Sequence, residues 1–285
     1  MPSKLLTGAQ SAGAATPAFA RQWHSARWAA PATVIAGTTT RYPSDGADQR
    51  PGQPADLGFN VGKKSGDSLE RITANRERLG QLLAQACTPA LQAPPHLHWL
   101  QQVHGDRWVY ADGAWADEPE ADALWTDQIG AGLVIQSADC VPILLASKDP
   151  AQPCVGAAHG GWRGLLAGVI EQLVGAMPTA PSQLCAWIGP CISQRHFEVG
   201  EDVWLPVAQV SPSVIAEHPT DSSKRLVNLP QLANDQLRSC GVASIAQSGL
   251  CSYADSDFYS HRQATHLQGK GAQTGRMASI VCITG

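Results

Sequence analysis

The chain has no stretch approaching the roughly 18 consecutive apolar residues that a membrane span requires, so no bilayer crossing is expected. It also has no run of Lys and Arg. Twenty basic residues face 24 acidic ones, for a formal net charge of -4, whereas proteins that track a phosphate backbone gather positive charge on a face or in runs. Nucleic acid is therefore not an expected partner. CxxC and HExxH pairs, internal repeats and low-complexity linkers are absent from the body of the chain. The eight cysteines in 285 residues lack the density of a small disulfide-stapled scaffold and fall mostly in apolar stretches, which suits reduced thiols in a cytoplasmic protein. Ala18-Phe19-Ala20 resembles a signal-peptidase site, but Thr7, Gln10 and Ser11 interrupt the segment before it, so a cleaved leader is not expected.

What is present describes an ordinary globule: hydrophobic residues make up 44% of the chain and charged ones 15%, and the length fits one domain. Residues 1–27, rich in Ala, Ser, Thr and Gly with no clear period, are read as a loosely ordered arm before a domain over 28–285. A β-branched run from Ala32 to Ala36 predicts a strand, followed by a Pro/Gly/Asp-rich loop over 42–56 that is either a lid or an insertion. Asp67 and Glu70 have the offset of a capping box, and Leu69, Ile72, Leu79, Leu82 and Leu83 predict a helix to about Ala86. Apolar periodicity predicts further helices over Leu165–Met177 and about Pro230–Cys240. Continuous apolar runs at 133–135, 141–146, 155–158, 184–188 and 278–283 read as strands buried on both faces. Interleaved strands and helices argue for a layered mixed sheet with helices outside.

The polar residues that stand out lie at the ends of these runs, where a rigid scaffold presents side chains to a cleft. His104 precedes a glycine, Asp139-Cys140 sits between two strand-like runs, and His159 opens the turn His159-Gly160-Gly161-Trp162-Arg163-Gly164. Cysteine and histidine suit zinc, and three protein ligands leave a fourth position open, the arrangement of a catalytic rather than a structural site. The ordinary alternative is a buried cysteine with satisfied histidines. Arg163 and Arg41 can hold an anion or be structural; Asn60 can meet a ligand or shape a turn. Asp139 can orient a metal ligand, accept a proton or cap a strand end, and Trp162 can stack on a flat ligand or simply pack. Cys191 is read as packing, because nothing beside it in sequence activates a thiolate.

Gln102-Val103-His104-Gly105, Ala121-Asp122-Ala123-Leu124, Ala138-Asp139-Cys140-Val141-Pro142, His159 to Gly164 and Ile188-Gly189-Pro190-Cys191-Ile192, in this order, resemble the YfiH family. Thr40-Arg41, Phe59-Asn60-Val61-Gly62, Asn75-Arg76, Phe197-Glu198-Val199-Gly200 and Phe258-Tyr259-Ser260-His261-Arg262 extend the likeness over about 28–284. The family is known both as polyphenol oxidase or laccase-domain proteins and as purine nucleoside phosphorylases with adenosine deaminase activity. The resemblance implies one zinc on His104, Cys140 and His159, and an α+β fold of the cytotoxic-necrotizing-factor-like kind, a single domain layered α/β/β/α. It also implies adenosine, inosine or guanosine with phosphate as substrates, with methylthioadenosine as a further one. Asp139 and Arg163 are then the candidate catalytic residues, and Arg41, Asn60, Gln102 and Trp162 the candidate substrate contacts. This chain departs from the family in following Arg41 with Tyr42-Pro43-Ser44-Asp45-Gly46 rather than a glycine-rich stretch. A copper laccase is disfavoured: the chain has nine histidines, a single His-x-His and no His-Cys-His. Two competitors use the same residues. One is a cysteine hydrolase with Cys140 as nucleophile and His159 as base, acting on a peptide or cell-wall precursor amide; the other is a non-catalytic binding module.

Overall fold

The computed structural model describes residues 22–42, 58–87, 90–91 and 93–285. The first strands are β1 (Trp23–Ser25) and β2 (Val34–Thr39), followed by helix α1 (Leu69–Cys87). Next come β3 (His96–His98), β4 (Trp108–Tyr110), β5 (Ala123–Thr126), β6 (Ala131–Ser137), β7 (Val141–Ser147) and β8 (Val155–Gly160). Helices α2 (Trp162–Ala167) and α3 (Val169–Ala176) lead to β9 (Leu184–Ile188), then β10 (Glu198–Val199), α4 (Glu201–Val210), β11 (Ile215–Glu217) and β12 (Arg225–Val227). The chain ends with α5 (Leu229–Ser239), β13 (Ser244–Gln247), α6 (His261–Gln268) and β14 (Met277–Ile283).

These strands form a five-stranded sheet in the order β1-β2-β14-β6-β3 and a six-stranded sheet in the order β13-β9-β7-β8-β5-β4, with β10-β12-β11 as a small third sheet. Both large sheets are mixed. The long central pairs, β14 with β2 and β6 and β7 with β8 and β9, are antiparallel, while β3, β4 and β13 add in parallel at the edges. Side chains alternate between sheet faces along each strand, and here both faces are covered. Leu133, Ile135, Val281 and Ile283 meet Leu144, Ala146, Cys185 and Trp187 between the sheets. Ile143, Leu145, Ala186 and Ile188 point the other way, against α2, α3 and α5, while Val134, Ala278 and Ile280 point to α1. The continuous apolar runs in the sequence are the consequence, and the layering is the expected α/β/β/α.

Three expectations need correction. The helix foreseen over Leu165–Met177 is two helices, because Gly168 adopts φ 93 between α2 and α3 and breaks the hydrogen-bond ladder. The cap of α1 is Ser68 rather than Asp67: its Oγ accepts from Arg71 N at 3.3 Å, while the Asp67 carboxylate accepts from Asn60 Nδ2 at 3.1 Å. Within the segment read as an arm, Trp23–Ser25 pairs with β2 and Trp23 is buried, so order begins before residue 28. Residues 1–21 of that arm, and 43–56 of the expected loop, lie outside the described residues. All eight cysteines are free thiols, and among the described residues no helix is long and apolar enough to cross a membrane.

The layering makes Leu144, fully buried between the sheets, far more costly to truncate than Leu69, 63% exposed at the start of α1. Leu144→Ala should lower unfolding free energy by about 2–5 kcal/mol and Leu69→Ala by less than about 0.5 kcal/mol, measured by urea denaturation of the same preparation.

Candidate metal centre and cleft

The centre is built at one end of the six-stranded sheet. Asp122 directly precedes β5, Cys140 directly precedes β7, and His159 is the penultimate residue of β8. Because β8 runs antiparallel to both neighbours, these three positions converge. Their register is direct as well: His159 N donates to Asp122 O at 2.8 Å. His104 reaches the same point on the loop after β3, so that one ligand atom from each of His104, Cys140 and His159 lies within 4.8 Å of the other two.

Asp122 holds this arrangement together. Its carboxylate is fully buried and accepts four hydrogen bonds: from His159 Nδ1 at 2.8 Å and from the backbone N–H groups of Val103, His104 and Gly105 at 3.1, 2.9 and 2.7 Å. Burial by itself would raise its pKa, but the His159 charge and hydrogen bond and the backbone donors outweigh this and hold it below the usual carboxylate range. An ionised carboxylate only accepts, so His159 carries its proton on Nδ1 and turns Nε2 toward Cys140 and His104. Cys140 Sγ lies 3.7 Å from His104 Nε2. Burial pushes the Cys140 thiol up, yet the His159 charge and the His104 hydrogen bond pull it down to about 6. For His159 burial lowers the pKa, and the thiolate and Asp122 raise it to about 9. In metal-free protein the pair is thus thiolate and imidazolium between those limits.

Two glycines of the His159–Gly164 turn are required by close approach. A Cβ on Gly161 would lie 2.6 Å from His104 Cδ2, and one on Gly164 would lie 2.8 Å from Gly105 O. His104, at φ 64, and Asp139, at φ 97, are the two non-glycine residues with positive φ among the described residues, and both belong to this centre. Such strain persists where surrounding bonds over-determine the backbone. Asp122 does this for His104. For Asp139, Oδ1 accepts from Ser252 Oγ and Oδ2 from Arg262 N, each at 2.7 Å.

The three ligands form part of the floor of a cleft of about 700 Å³, a volume suited to a small organic substrate. Gln102 and Asp139 also line it. Gln102 spends both ends of its amide on the backbone of Gln136, at 2.8 and 2.7 Å, and so pins the His104 loop to β6. Asp139 ties the β6–β7 turn to α6, and its carboxylate partners are Ser252 and Arg262 rather than a metal ligand. Arg163, Arg41, Asn60 and Trp162 do not line the cleft. Arg163 is exposed, 4.3 Å over the Trp162 ring; Arg41 lies over the Tyr259 ring; Asn60 is fully buried. The cleft cations are instead Lys63, Lys64, Arg76, Arg262 and Arg276, with Phe197 and Ile192 as apolar surface. Asp122 and Phe197 stand within the motifs of the sequence but carry no role there. The offset of Asp122 before a strand, matching that of Cys140, was the available signal. Cys191 is buried, and burial pushes its thiol up, in keeping with packing.

The known proteins that this chain resembles agree on the family and differ in the activity that their names carry. The family model described as multi-copper polyphenol oxidoreductase laccase matches residues 36–284. A purine nucleoside phosphorylase of Pseudomonas aeruginosa is 36% identical over 262 residues, covering 91% of this chain and 97% of that protein. The purine nucleoside phosphorylase YfiH of Escherichia coli is 33% identical over 256 residues, covering 90% and 96%. The crystal structure of a Neisseria meningitidis protein superposes with a TM-score of 0.77 at 32% identity, covering 93% of this chain and all of that one.

Two outcomes follow from the centre. Asp122→Asn removes the charge that orients His159 and should weaken binding of a divalent metal by this set about 10–100-fold, measured by competition with a chromophoric chelator; unchanged affinity would contradict the orienting role. Binding of a divalent metal near pH 7.5 should release roughly one proton, from His159 Nε2, since Cys140 is already a thiolate there. Calorimetry in two buffers of different ionisation enthalpy counts it, and an extra proton from the thiol, lost again in Cys140→Ala, would place a neutral thiol on Cys140.

Proposed function

Because the chain belongs to the YfiH family, the one described as multi-copper polyphenol oxidoreductase laccase, we propose that it is a zinc-dependent purine nucleoside phosphorylase. The observation that carries this reading is the His104–Cys140–His159 set, backed by Asp122, at the floor of a cleft lined by cations and an aromatic ring. The donors suit zinc: two imidazoles and a thiolate, with the remaining nitrogen of His159 already engaged by a carboxylate. Multi-copper chemistry needs several histidine-rich clusters, and the described residues contain one three-residue group. The names of the curated relatives point the same way.

In phosphorolysis a phosphate oxygen bonds to ribose C1′ as the glycosidic C–N bond breaks, and the purine leaves with the electron pair and takes up a proton. Zinc, when bound, supplies a Lewis acid that polarises an oxygen or ring nitrogen of the nucleoside, and for adenosine deamination it would lower the pKa of water. The chain's own residues prepare the site. Asp122 fixes the His159 ring and the His104 loop, and Gln102 holds that loop to β6. Phe197 and Ile192 offer the purine an apolar surface, and Arg262 lies 5.3 Å over the Phe197 ring. Deamination of adenosine and phosphorolysis of methylthioadenosine belong to the same reading, as does a cytoplasmic location, which suits eight free cysteines. The cysteine-hydrolase alternative draws on Cys140, His159 and Asp122 as a Cys–His–Asp triad, and a stoichiometric metal on Cys140 removes its free nucleophile.

Untagged protein should carry about one zinc per chain by elemental analysis. It should release free base from adenosine or inosine only when phosphate is supplied, forming ribose 1-phosphate, and both properties should disappear in Cys140→Ala. Metal-free protein that cleaves amides would establish the hydrolase instead, and zinc without nucleoside turnover would leave a binding module.

A further inference from the structure

With Arg163 and Arg41 away from the cleft, an anion there must be met by other groups, and one wall gathers them. Asn60, fully buried, accepts through Oδ1 from Gly62 N at 3.0 Å and Arg276 N at 2.8 Å, and donates through Nδ2 to Ser65 Oγ at 2.6 Å and Asp67 Oδ2 at 3.1 Å. One amide therefore locks the loop carrying Lys63 and Lys64 to the backbone of Arg276. The two pieces touch directly, since a methyl at Gly62 would overlap Arg276 Cγ. Arg76 Nε donates to Val61 O at 2.9 Å and fastens α1 to the same loop.

The charges on this wall are unequally used. Lys63 and Arg76 share Glu118, and Asp117 lies near them on the lining. Arg276 donates through one terminal nitrogen to Thr274 O and Gly275 O at 2.7 and 3.1 Å, and its charge is felt by Cys140 and Asp139. Lys64 is exposed on the lining and forms no ion pair or hydrogen bond among the described residues. Beside Arg276, Ser137 pairs in register with Met277. Ser137 is 1% exposed, lines the cleft, and its Oγ has no hydrogen-bond partner among the described residues. A buried hydroxyl without a partner costs free energy, and native structures keep such groups where a ligand completes them.

We propose that inorganic phosphate, the co-substrate of the phosphorylase reading on which this inference rests, is held on this wall by Lys64, Arg276 and Ser137 Oγ, with Asn60 as the positioning residue. A phosphate oxygen accepts the Ser137 proton, and the ammonium and guanidinium balance the anion's charge. The nucleoside then occupies the side of the cleft lined by Phe197 and Ile192.

The test is a titration of inorganic phosphate into the zinc-loaded protein by calorimetry, in wild type, Lys64→Met, Ser137→Ala and Arg163→Met. Loss of one charge-assisted contact weakens binding about tenfold. Lys64→Met should show this, and Ser137→Ala a several-fold weakening with an unchanged or raised Tm, because it removes an orphan group. Arg163→Met should bind as wild type. The same two wall variants should raise KM for phosphate and leave KM for inosine unchanged. Wild-type affinity in both Lys64→Met and Ser137→Ala, or no phosphate binding by wild type, overturns the subsite. If wild type binds phosphate with this mutational pattern yet releases no base, the subsite stands and the phosphorylase reading fails.

Discussion

One buried carboxylate fixes the geometry on which the metal centre depends. Asp122 has no exposure to water and accepts from an imidazole and three successive backbone N–H groups. Desolvating a charge is costly unless it is fully hydrogen-bonded, and here each bond performs a second task. The three amides hold a loop whose ligand, His104, sits at φ 64, and the imidazole bond chooses the nitrogen that His159 turns inward. Without this carboxylate the loop would lose the contacts that oppose its strain, and His159 could present either nitrogen.

The thiolate and imidazolium of the metal-free centre are the same stabilisation seen from a different side. Cys140 is held at about 6 and His159 at about 9, so the centre is electrostatically prepared for a cation before one arrives. A metal bound there would replace the His159 proton between groups already oriented, with little rearrangement. The glycines of the turn after β8 serve this compactness: His104 and Gly105 lie where Cβ atoms at 161 and 164 would collide. Preorganisation of this kind is what a loop-borne ligand needs, because its own sequence neighbours give it no regular hydrogen-bond ladder.

Much of the scaffold was legible because both faces of the central strands are covered. Leu184–Ile188 reads as a continuous apolar run and is a strand with those bounds; α1 showed its apolar period plainly. Helix α6 did not, since its only buried residue is Ala264 and its docking depends on Asp139, 123 positions from Arg262 in sequence. The candidate metal-binding set came from motif resemblance, since spacings of 36 and 19 residues between its members leave no local pattern. The substrate candidates fared differently. Gln102 does reach the cleft, but as a clamp on β6; Asn60 is buried behind the wall it organises; Arg163 beside the metal turn points away over Trp162. Adjacency to a motif in sequence does not fix the direction of a side chain, because on the first turn of a helix neighbouring residues point about 100° apart.

The distribution of the site between the two sheets explains why the fold needs both. Asp122 and Cys140 lead into β5 and β7, and His159 lies in β8 of the six-stranded sheet, with His104 tied to Asp122 by a hydrogen bond. The cationic wall belongs to the other sheet: Ser137 ends β6, Arg276 precedes β14, and the loop at 62–64 leads into α1, which packs on that sheet's outer face. Facing sheets pack about 10 Å apart, a spacing set here by Leu133, Ile135, Val281 and Ile283 against Leu144, Ala146 and Trp187. That apolar layer therefore determines how far the His104–Cys140–His159 set stands from the wall across the cleft. Interiors packed to crystal-like density resist small changes in spacing, so the core dictates the distance between the two sides of the cleft.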